Sequence, residues 1–170
     1  ENFEDLTHLI EEEDYDAMVI GSGWKEIPKN FSFALQDKAT YIFDGSFIHQ
    51  DFLKRYSFQE QERIIICPHM GELRRLASIV DESKAKIDIC EDLRKSFSGI
   101  IIAKGYDTLL AKQDRHYSIT TWNCPSLATA GSGDILAGIL ACFCAKLGDS
   151  WQASELAVSF HRKLASSNPV

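Results

Sequence analysis

Two short runs of consecutive apolar residues decide the fold class of this chain. Arg63–Cys67 has the sequence RIIIC, and Gly99–Ala103 has the sequence GIIIA. Strands without any polar alternation are typical of parallel strands that are covered by helices on both faces of a sheet. Because such runs alternate along the chain with helical patterns, the sequence predicts an α/β fold with a mostly parallel sheet.

The remaining elements follow from the same alternation of strand and helix patterns. The predicted strands are 16–20, 39–43, 63–67 and 99–103, followed by an edge hairpin at 108–112 and 116–121, and the predicted helices are 28–38, 47–56, 71–80, 84–97, 134–147 and 151–165. We find no internal repeat, low-complexity tract or linker. Residues 1–170 are therefore predicted to form one domain.

Charge and hydropathy exclude two classes of partner. The chain has 18 Lys and Arg against 25 Asp and Glu, a formal net charge of −7, and eight of the acids lie in the first sixteen residues. No concentrated basic patch remains, so nucleic acid is not an expected partner. The longest apolar run, Ile135–Ala145, has 11 residues. Spanning a bilayer takes about 20, so no membrane partner is expected.

The cysteines predict a reducing compartment and no metal site. There are five, an odd number, scattered through apolar segments. This pattern is typical of reduced, mostly buried thiols, so we expect a cytoplasmic protein. Cys142 and Cys144 are two positions apart on a predicted helix and point to different faces, so joint zinc ligation is not expected.

Polar clusters follow each of the four predicted parallel strands. They are Gly21-Ser22-Gly23, Asp44-Gly45, Pro68–Glu72 and Lys104-Gly105. In parallel sheets, ligands bind beyond the carboxyl ends of the strands, so these clusters predict a site at that edge. Asp44 fits two interpretations equally well, a turn former at a strand end or a site residue.

The segment Ala128–Gly138, with the sequence ATAGSGDILAG, carries the most specific chemistry. Gly131, Ser132 and Gly133 lead into a helix whose free N–H groups and dipole suit a phosphate group. Asp134, beside that site, could accept the proton of an attacking hydroxyl during phosphoryl transfer. Alone, Gly-Ser-Gly-Asp would favour an ordinary helix start, but the surrounding eleven residues favour the phosphate site.

This segment resembles the signature of the ADP/ATP-dependent NAD(P)H-hydrate dehydratases, ribokinase-like enzymes that also form the C-terminal half of YjeF-type proteins. Further matches occur in order at Val19–Gly23, Phe43–Gly45, Cys67–Leu73 and Lys104–Thr108. The resemblance implies a ribokinase-like three-layer α/β fold with a mostly parallel sheet. The matched region starts after the family's first βα units, so we expect a fold that lacks these N-terminal units.

The resemblance also implies a reaction, the repair of hydrated NADH or NADPH (NADHX and NADPHX). The ring hydroxyl is phosphorylated from ADP or ATP, and loss of phosphate restores the cofactor, which makes the enzyme a lyase. Asp134 would be the catalytic base and would bind substrate together with Gly23 and His69. The nucleotide would be bound by Lys104, Gly105, Tyr106, Asp107, Thr108, Ser132 and Gly133.

Mg²⁺ is expected at the phosphates, held through water and phosphate oxygens rather than by a protein cage. The expected partners are NADHX or NADPHX and an adenine nucleotide. A second copy of the chain, a complementary N-terminal segment or an epimerase domain could supply the missing units.

Two other functions remain open from the sequence. A kinase of the same superfamily, acting on a vitamin-precursor alcohol, would share the glycine-rich anion site but not the Pro-His-x-Gly-Glu segment. A non-catalytic remnant could bind nucleotide, or bind a partner through an open sheet edge. A Rossmann dehydrogenase is disfavoured, because the third glycine of G-x-G-x-x-G would fall at Glu26.

Overall fold

The described residues form a sheet of six strands, whose order in space is their order along the chain. The structure is a computed structural model that describes the backbone of residues 3–27, 31–119 and 125–167 and the side chains of residues 6–27, 31–114 and 126–167. The strands are β1 (Ala17–Ile20), β2 (Thr40–Phe43), β3 (Ile64–Ile66), β4 (Ile100–Ala103), β5 (Thr108–Lys112) and β6 (Arg115–Ile119).

Strands β1 to β4 are parallel, and β5 and β6 add an antiparallel hairpin beside β4. The last residues of the first three strands are in register, because Ile20 pairs with Phe43 and Phe43 pairs with Ile66. The loops that follow these strands therefore lie side by side at one edge of the sheet. The predicted parallel sheet and edge hairpin are confirmed, although positions 120 and 121 of the predicted hairpin lie outside the described residues.

Helices cover both faces of the sheet. They are α1 (Phe3–Glu12), α2 (Gln50–Leu53), α3 (Phe58–Gln61), α4 (Met70–Leu76), α5 (Lys86–Leu93), α6 (Ser132–Leu147) and α7 (Ser150–Ser167), with two short 3₁₀ segments. Alternate strand residues point to opposite faces. Tyr41 and Phe43 pack with α1, α2, α4 and α5, whereas Ile42 packs with α6 and α7. The described residues therefore form three layers, with the sheet between two layers of helices.

One predicted helix is wrong, and its sequence shows why. Residues 31–36 have no regular secondary structure, and positions 28–30 of the predicted helix 28–38 lie outside the described residues. Phe31, Phe33 and Leu35 are buried, whereas Ser32 and Ala34 between them are exposed. In an extended chain, alternate side chains point to the same side. Here this alternation places three large apolar groups in the core.

Other helical segments also differ from the sequence expectation, and the single turn of α3 was not predicted. The predicted helix 47–56 is instead a 3₁₀ turn, Gly45–Phe47, followed by the single turn of α2. Helix α1 was not predicted, because its many acids obscure the apolar spacing of Leu6 and Ile10. Ile10 is fully buried against the sheet, and Leu6 packs beside it.

The thiols of the described residues are mostly buried and all are free. Cys67, Cys90 and Cys144 lie in the core, Cys142 is exposed, and Cys124 lies outside the described residues. Burial raises the pKa of the Cys90 and Cys144 thiols, each to about 12. Within the part of the chain that the structure describes, no helix has the length and apolarity to cross a bilayer.

Candidate active site

The loops after β1 and β2 touch at a contact that only glycine permits. Gly21 has a φ of +109°, and a Cβ added to it would lie 2.1 Å from the carbonyl oxygen of Asp44. The N–H of Asp44 donates a 3.0 Å hydrogen bond to the carbonyl oxygen of Ile20. This close approach fixes Asp44 at the carboxyl edge of the sheet.

Asp44 forms an ion pair with Lys104, the residue that follows β4. The Nζ atom of Lys104 donates to Oδ1 of Asp44 at 2.9 Å, and the side chain of Asp44 is only 8% exposed. Ser22 Oγ donates to the other carboxylate oxygen at 3.4 Å, and the backbone N–H of Lys104 donates to the carbonyl oxygen of Pro68 at 2.8 Å. This network joins the loops of all four parallel strands.

Helix α6 begins at the same edge with unpaired backbone donors. Its N-cap, Gly131, has a φ of +87°, and the carbonyl oxygen of Gly131 accepts from the N–H of Ile135 at 3.1 Å. Within the described residues, the N–H groups of Gly133 and Asp134 have no backbone acceptor. Free N–H groups at the start of a 16-residue helix, together with its dipole, form an anion site.

A cation and a carboxylate lie beside these N–H groups. A Cβ added to Gly133 would be 3.0 Å from Lys104 Nζ, so the absence of a side chain there lets the ammonium group reach the helix. Asp134 is exposed, and its Oδ2 lies 3.9 Å from the Cβ position of Gly131. The structure thus brings Lys104 beside Gly133 and Asp134, which the sequence predicted as parts of a separate segment.

His69 and Glu72 form a capping box at the start of α4. The Nδ1 atom of His69 accepts from the N–H of Gly71 at 3.0 Å, and Glu72 Oε2 accepts from the N–H of His69 at 2.8 Å. Because Nδ1 accepts, the neutral imidazole carries its proton on Nε2. The capping hydrogen bonds hold the ring in one orientation. Because the side chain is 61% exposed, the ring is still open to a ligand.

The Lys104–Thr108 loop connects β4 with β5. Gly105 has a φ of +152°, which disfavours any other residue, and Tyr106 at the tip is exposed. Asp107 accepts a hydrogen bond from Lys86 through its carbonyl oxygen, and Thr108 is buried at the start of β5. The loop therefore presents backbone and a tyrosine ring outward, whereas the Thr108 side chain points into the fold.

Two of the predicted site residues, Gly23 and Ser132, have no side-chain group available for a ligand. Gly23 has a φ of +78°, and no atom lies within 4 Å of an added Cβ, so its conformation rather than crowding requires glycine. The hydroxyl of Ser132 donates to the carbonyl oxygen of Leu127 at 2.7 Å and is used within the turn. Ser132 can therefore contribute to an anion site mainly through its backbone.

Sequence reasoning missed one pairing and one residue at this edge. The pairing of Asp44 with Lys104 spans sixty positions of sequence and has no local signal. Lys86 does have a local signal in the sequence, because a lysine in the first turn of a helix opposes the helix dipole.

The described residues contain no group of three or more His, Cys, Asp or Glu side chains arranged to hold a metal ion. A magnesium ion bound at nucleotide phosphates needs few protein ligands, because Mg²⁺ keeps several waters.

Known proteins resemble this chain in sequence. A family model described as NAD(P)H-hydrate dehydratase matches residues 2–169. The ADP-dependent (S)-NAD(P)H-hydrate dehydratase of Lactococcus lactis is 26% identical over 171 residues, which cover 97% of this chain and 62% of that protein. The bifunctional NAD(P)H-hydrate repair enzyme of Helicobacter pylori is 29% identical over 132 residues, which cover 73% of this chain and 27% of that enzyme.

A solved structure shows the same fold. The ADP/ATP-dependent NAD(P)H-hydrate dehydratase of Bacillus subtilis, co-crystallized with ATP and Mg²⁺ and soaked with CoA, matches with a TM-score of 0.78 and 23% identity. The match covers 99% of this chain and 64% of that one, so this chain spans less than two thirds of the length of each of these relatives. The expected ribokinase-like fold is confirmed, and the match of the family model to residues 2–169 shows that the chain belongs to the NAD(P)H-hydrate dehydratase family.

Proposed function

We propose that this chain carries out the nucleotide-dependent dehydration of NADHX or NADPHX, or forms the catalytic part of the protein that does so. The observation that carries this proposal is the meeting of the Lys104 ammonium group, the free N–H groups of α6 and the Asp134 carboxylate at one edge of the sheet. A cation and backbone donors suit a transferred phosphoryl group, and a carboxylate suits the hydroxyl that attacks it.

The nucleotide would lie along the Lys104–Thr108 loop with its terminal phosphate at α6. Lys104 would offer a charge-assisted hydrogen bond to the phosphate oxygens, and the N–H groups of Gly133 and Asp134 would donate two more. Gly105, Tyr106, Asp107 and Thr108 would shape the nucleotide pocket, mostly through backbone. ADP and ATP present the same phosphate groups to these contacts, and both are proposed donors.

Asp134 would act as general base. It accepts the proton of the ring hydroxyl while the hydroxyl oxygen bonds to the terminal phosphorus, and the shortened nucleotide leaves. Loss of inorganic phosphate, with a proton from the neighbouring ring carbon, then restores the double bond of NADH or NADPH. His69, fixed by its capping contacts, and Gly23 would contact the hydrated cofactor.

Mg²⁺ would be held by the nucleotide phosphates and water at the start of α6. When bound, it would neutralise charge on the phosphate oxygens.

We propose that residues 1–170 fold as one domain in the cytoplasm and that the active assembly includes further polypeptide. Strand β1 is an outer strand of the sheet formed by the described residues. A second copy, an N-terminal segment or an epimerase domain could complete that edge. The Helicobacter pylori relative is named a bifunctional enzyme, which supports a fused partner domain.

The test is incubation of the purified protein with NADHX or NADPHX, Mg²⁺ and either ADP or ATP. Recovery of the nicotinamide absorbance with release of inorganic phosphate supports the proposal. A stable phosphorylated alcohol would instead identify a superfamily kinase. Nucleotide binding without turnover, even after a complementary N-terminal segment is added, would identify a non-catalytic remnant.

A further inference from the structure

Lys86 lies against the predicted nucleotide loop although no sequence motif includes it. It is the first residue of α5, and its Nζ donates a hydrogen bond to the carbonyl oxygen of Asp107. A Cβ added to Gly105 would lie 2.8 Å from the same Nζ and 3.6 Å from Cε. The side chain thus runs along one side of the Gly105–Asp107 turn.

The position of Lys86 is unfavourable by local criteria. The start of a helix carries partial positive charge, so a cation there costs free energy, and the N-cap residue Ala85 supplies no side-chain cap. The side chain is half-buried, and desolvation lowers the pKa of its ammonium group, while the charge of Asp107 opposes that shift. Local rules that are broken in this way are expected at functional sites.

The loop is shaped to receive this ammonium group. Gly105 has a φ of +152°, which favours glycine, and its lack of a side chain leaves room for Nζ. The Asp107 carbonyl group points at Lys86, which fixes the peptide plane at the end of the turn. The Oδ1 atom of Asp107 is buried and has no hydrogen-bond partner among the described residues, and the negative charge of this carboxylate favours the charged form of Lys86.

We propose that Lys86 is a positioning residue of the nucleotide site, which holds the Gly105–Asp107 turn in the shape that receives the adenine nucleotide. This inference rests on the proposed function, because it assigns the loop to nucleotide binding. It predicts that Lys86 sets the affinity for nucleotide without contributing to the stability of the fold.

The experiment is calorimetric titration of the purified protein with ADP and with ATP, each with Mg²⁺, in four forms. They are the wild type, Lys86→Gln, Lys86→Arg and the matched control Lys84→Gln. Lys84 lies two positions earlier, and its Nζ pairs with Asp92 at 2.6 Å, so its substitution removes the same charge without touching the loop.

We expect Lys86→Gln to weaken nucleotide binding about tenfold, as loss of a hydrogen bond from a charged donor does. Lys84→Gln should leave binding within about twofold, since the Lys84 ammonium group pairs with Asp92 instead of the loop. Lys86→Arg keeps a charged donor and should recover most of the affinity. Amide hydrogen exchange at 105–108 without nucleotide should be faster in Lys86→Gln, whereas its urea midpoint should not fall.

The outcomes separate the two claims. A wild-type protein that binds neither nucleotide would overturn the proposed function. A wild type that binds nucleotide while Lys86→Gln binds equally well would overturn only the role of Lys86. A lower urea midpoint for Lys86→Gln, with no rescue by Lys86→Arg, would show a merely structural lysine and would also overturn the inference.

Discussion

Asp134 differs from Asp44 and Glu72, the other two carboxylates at this edge of the sheet, in having no ion-pair partner among the described side chains. Asp44 is paired with Lys104, and Glu72 accepts the N–H of His69. Asp134 is exposed and forms no ion pair with any side chain that the structure describes. A carboxylate with free oxygens beside an anion site is available to take a proton, which is why we propose Asp134 as the catalytic base.

Asp134→Asn should therefore lower turnover of NADHX by about 10²- to 10⁴-fold, the usual contribution of a general base. Nucleotide affinity should hardly change, because the substitution removes a base and almost no volume. Initial rates of nicotinamide recovery and calorimetry with ADP or ATP measure the two effects. Activity within a few-fold of the wild type would refute this role.

Single residues also show where sequence reasoning ends. The segment from Gly131 to Asp134 was predictable because an anion site at a helix start is local and needs only neighbouring residues. The Asp44–Lys104 pair was not predictable, since the two residues meet only when β2 and β4 take their places around β3.

At the scale of elements, the pair between the ends of β2 and β4 is also a source of stability. Asp44 is buried, so removing Lys104 would leave an uncompensated charge in the core. Lys104→Met should lower the free energy of unfolding by about 3 kcal/mol, while the double variant Asp44→Asn/Lys104→Met should recover most of that loss. Urea denaturation measures both.

If the double variant were no more stable than Lys104→Met, the penalty would not come from the unpaired Asp44 carboxylate.

Helix α7 carries a pH-dependent contribution to stability at His161. The residue is buried, and desolvation, with repulsion from Arg162 as the smaller cause, lowers the pKa of its imidazole below 6.5. The unfolded chain therefore binds a proton that the folded chain excludes, and stability falls as pH decreases through 6.5.

His161→Gln should flatten the decline in unfolding free energy between about pH 7 and pH 5, measured by urea denaturation across that range. An equally steep decline in this variant would show that other groups cause the acid sensitivity.

Elements were predictable where one periodicity dominated. The isoleucine runs of β3 and β4 and the long helices α6 and α7 follow their patterns closely. The segment 31–36 was assigned a helical period although its alternation of buried and exposed residues has a period of two. That alternation was visible in the sequence, whereas the absence of β-sheet pairing was not.

At the scale of the whole molecule, the site depends on both helical layers. His69 caps α4 and Lys86 begins α5 on one face of the sheet, while Gly133 and Asp134 belong to α6 on the other. The carboxyl ends of the strands between these layers bring the residues to one edge. Sequence reasoning could predict that edge, because parallel strands place their following loops together.

The most direct test is a crystal structure of the protein with ADP or ATP and Mg²⁺. We predict that the terminal phosphate lies within hydrogen-bonding distance of the N–H groups of Gly133 and Asp134 and of Lys104 Nζ. A nucleotide that was bound elsewhere, with its terminal phosphate remote from the start of α6, would contradict the proposed site and its chemistry.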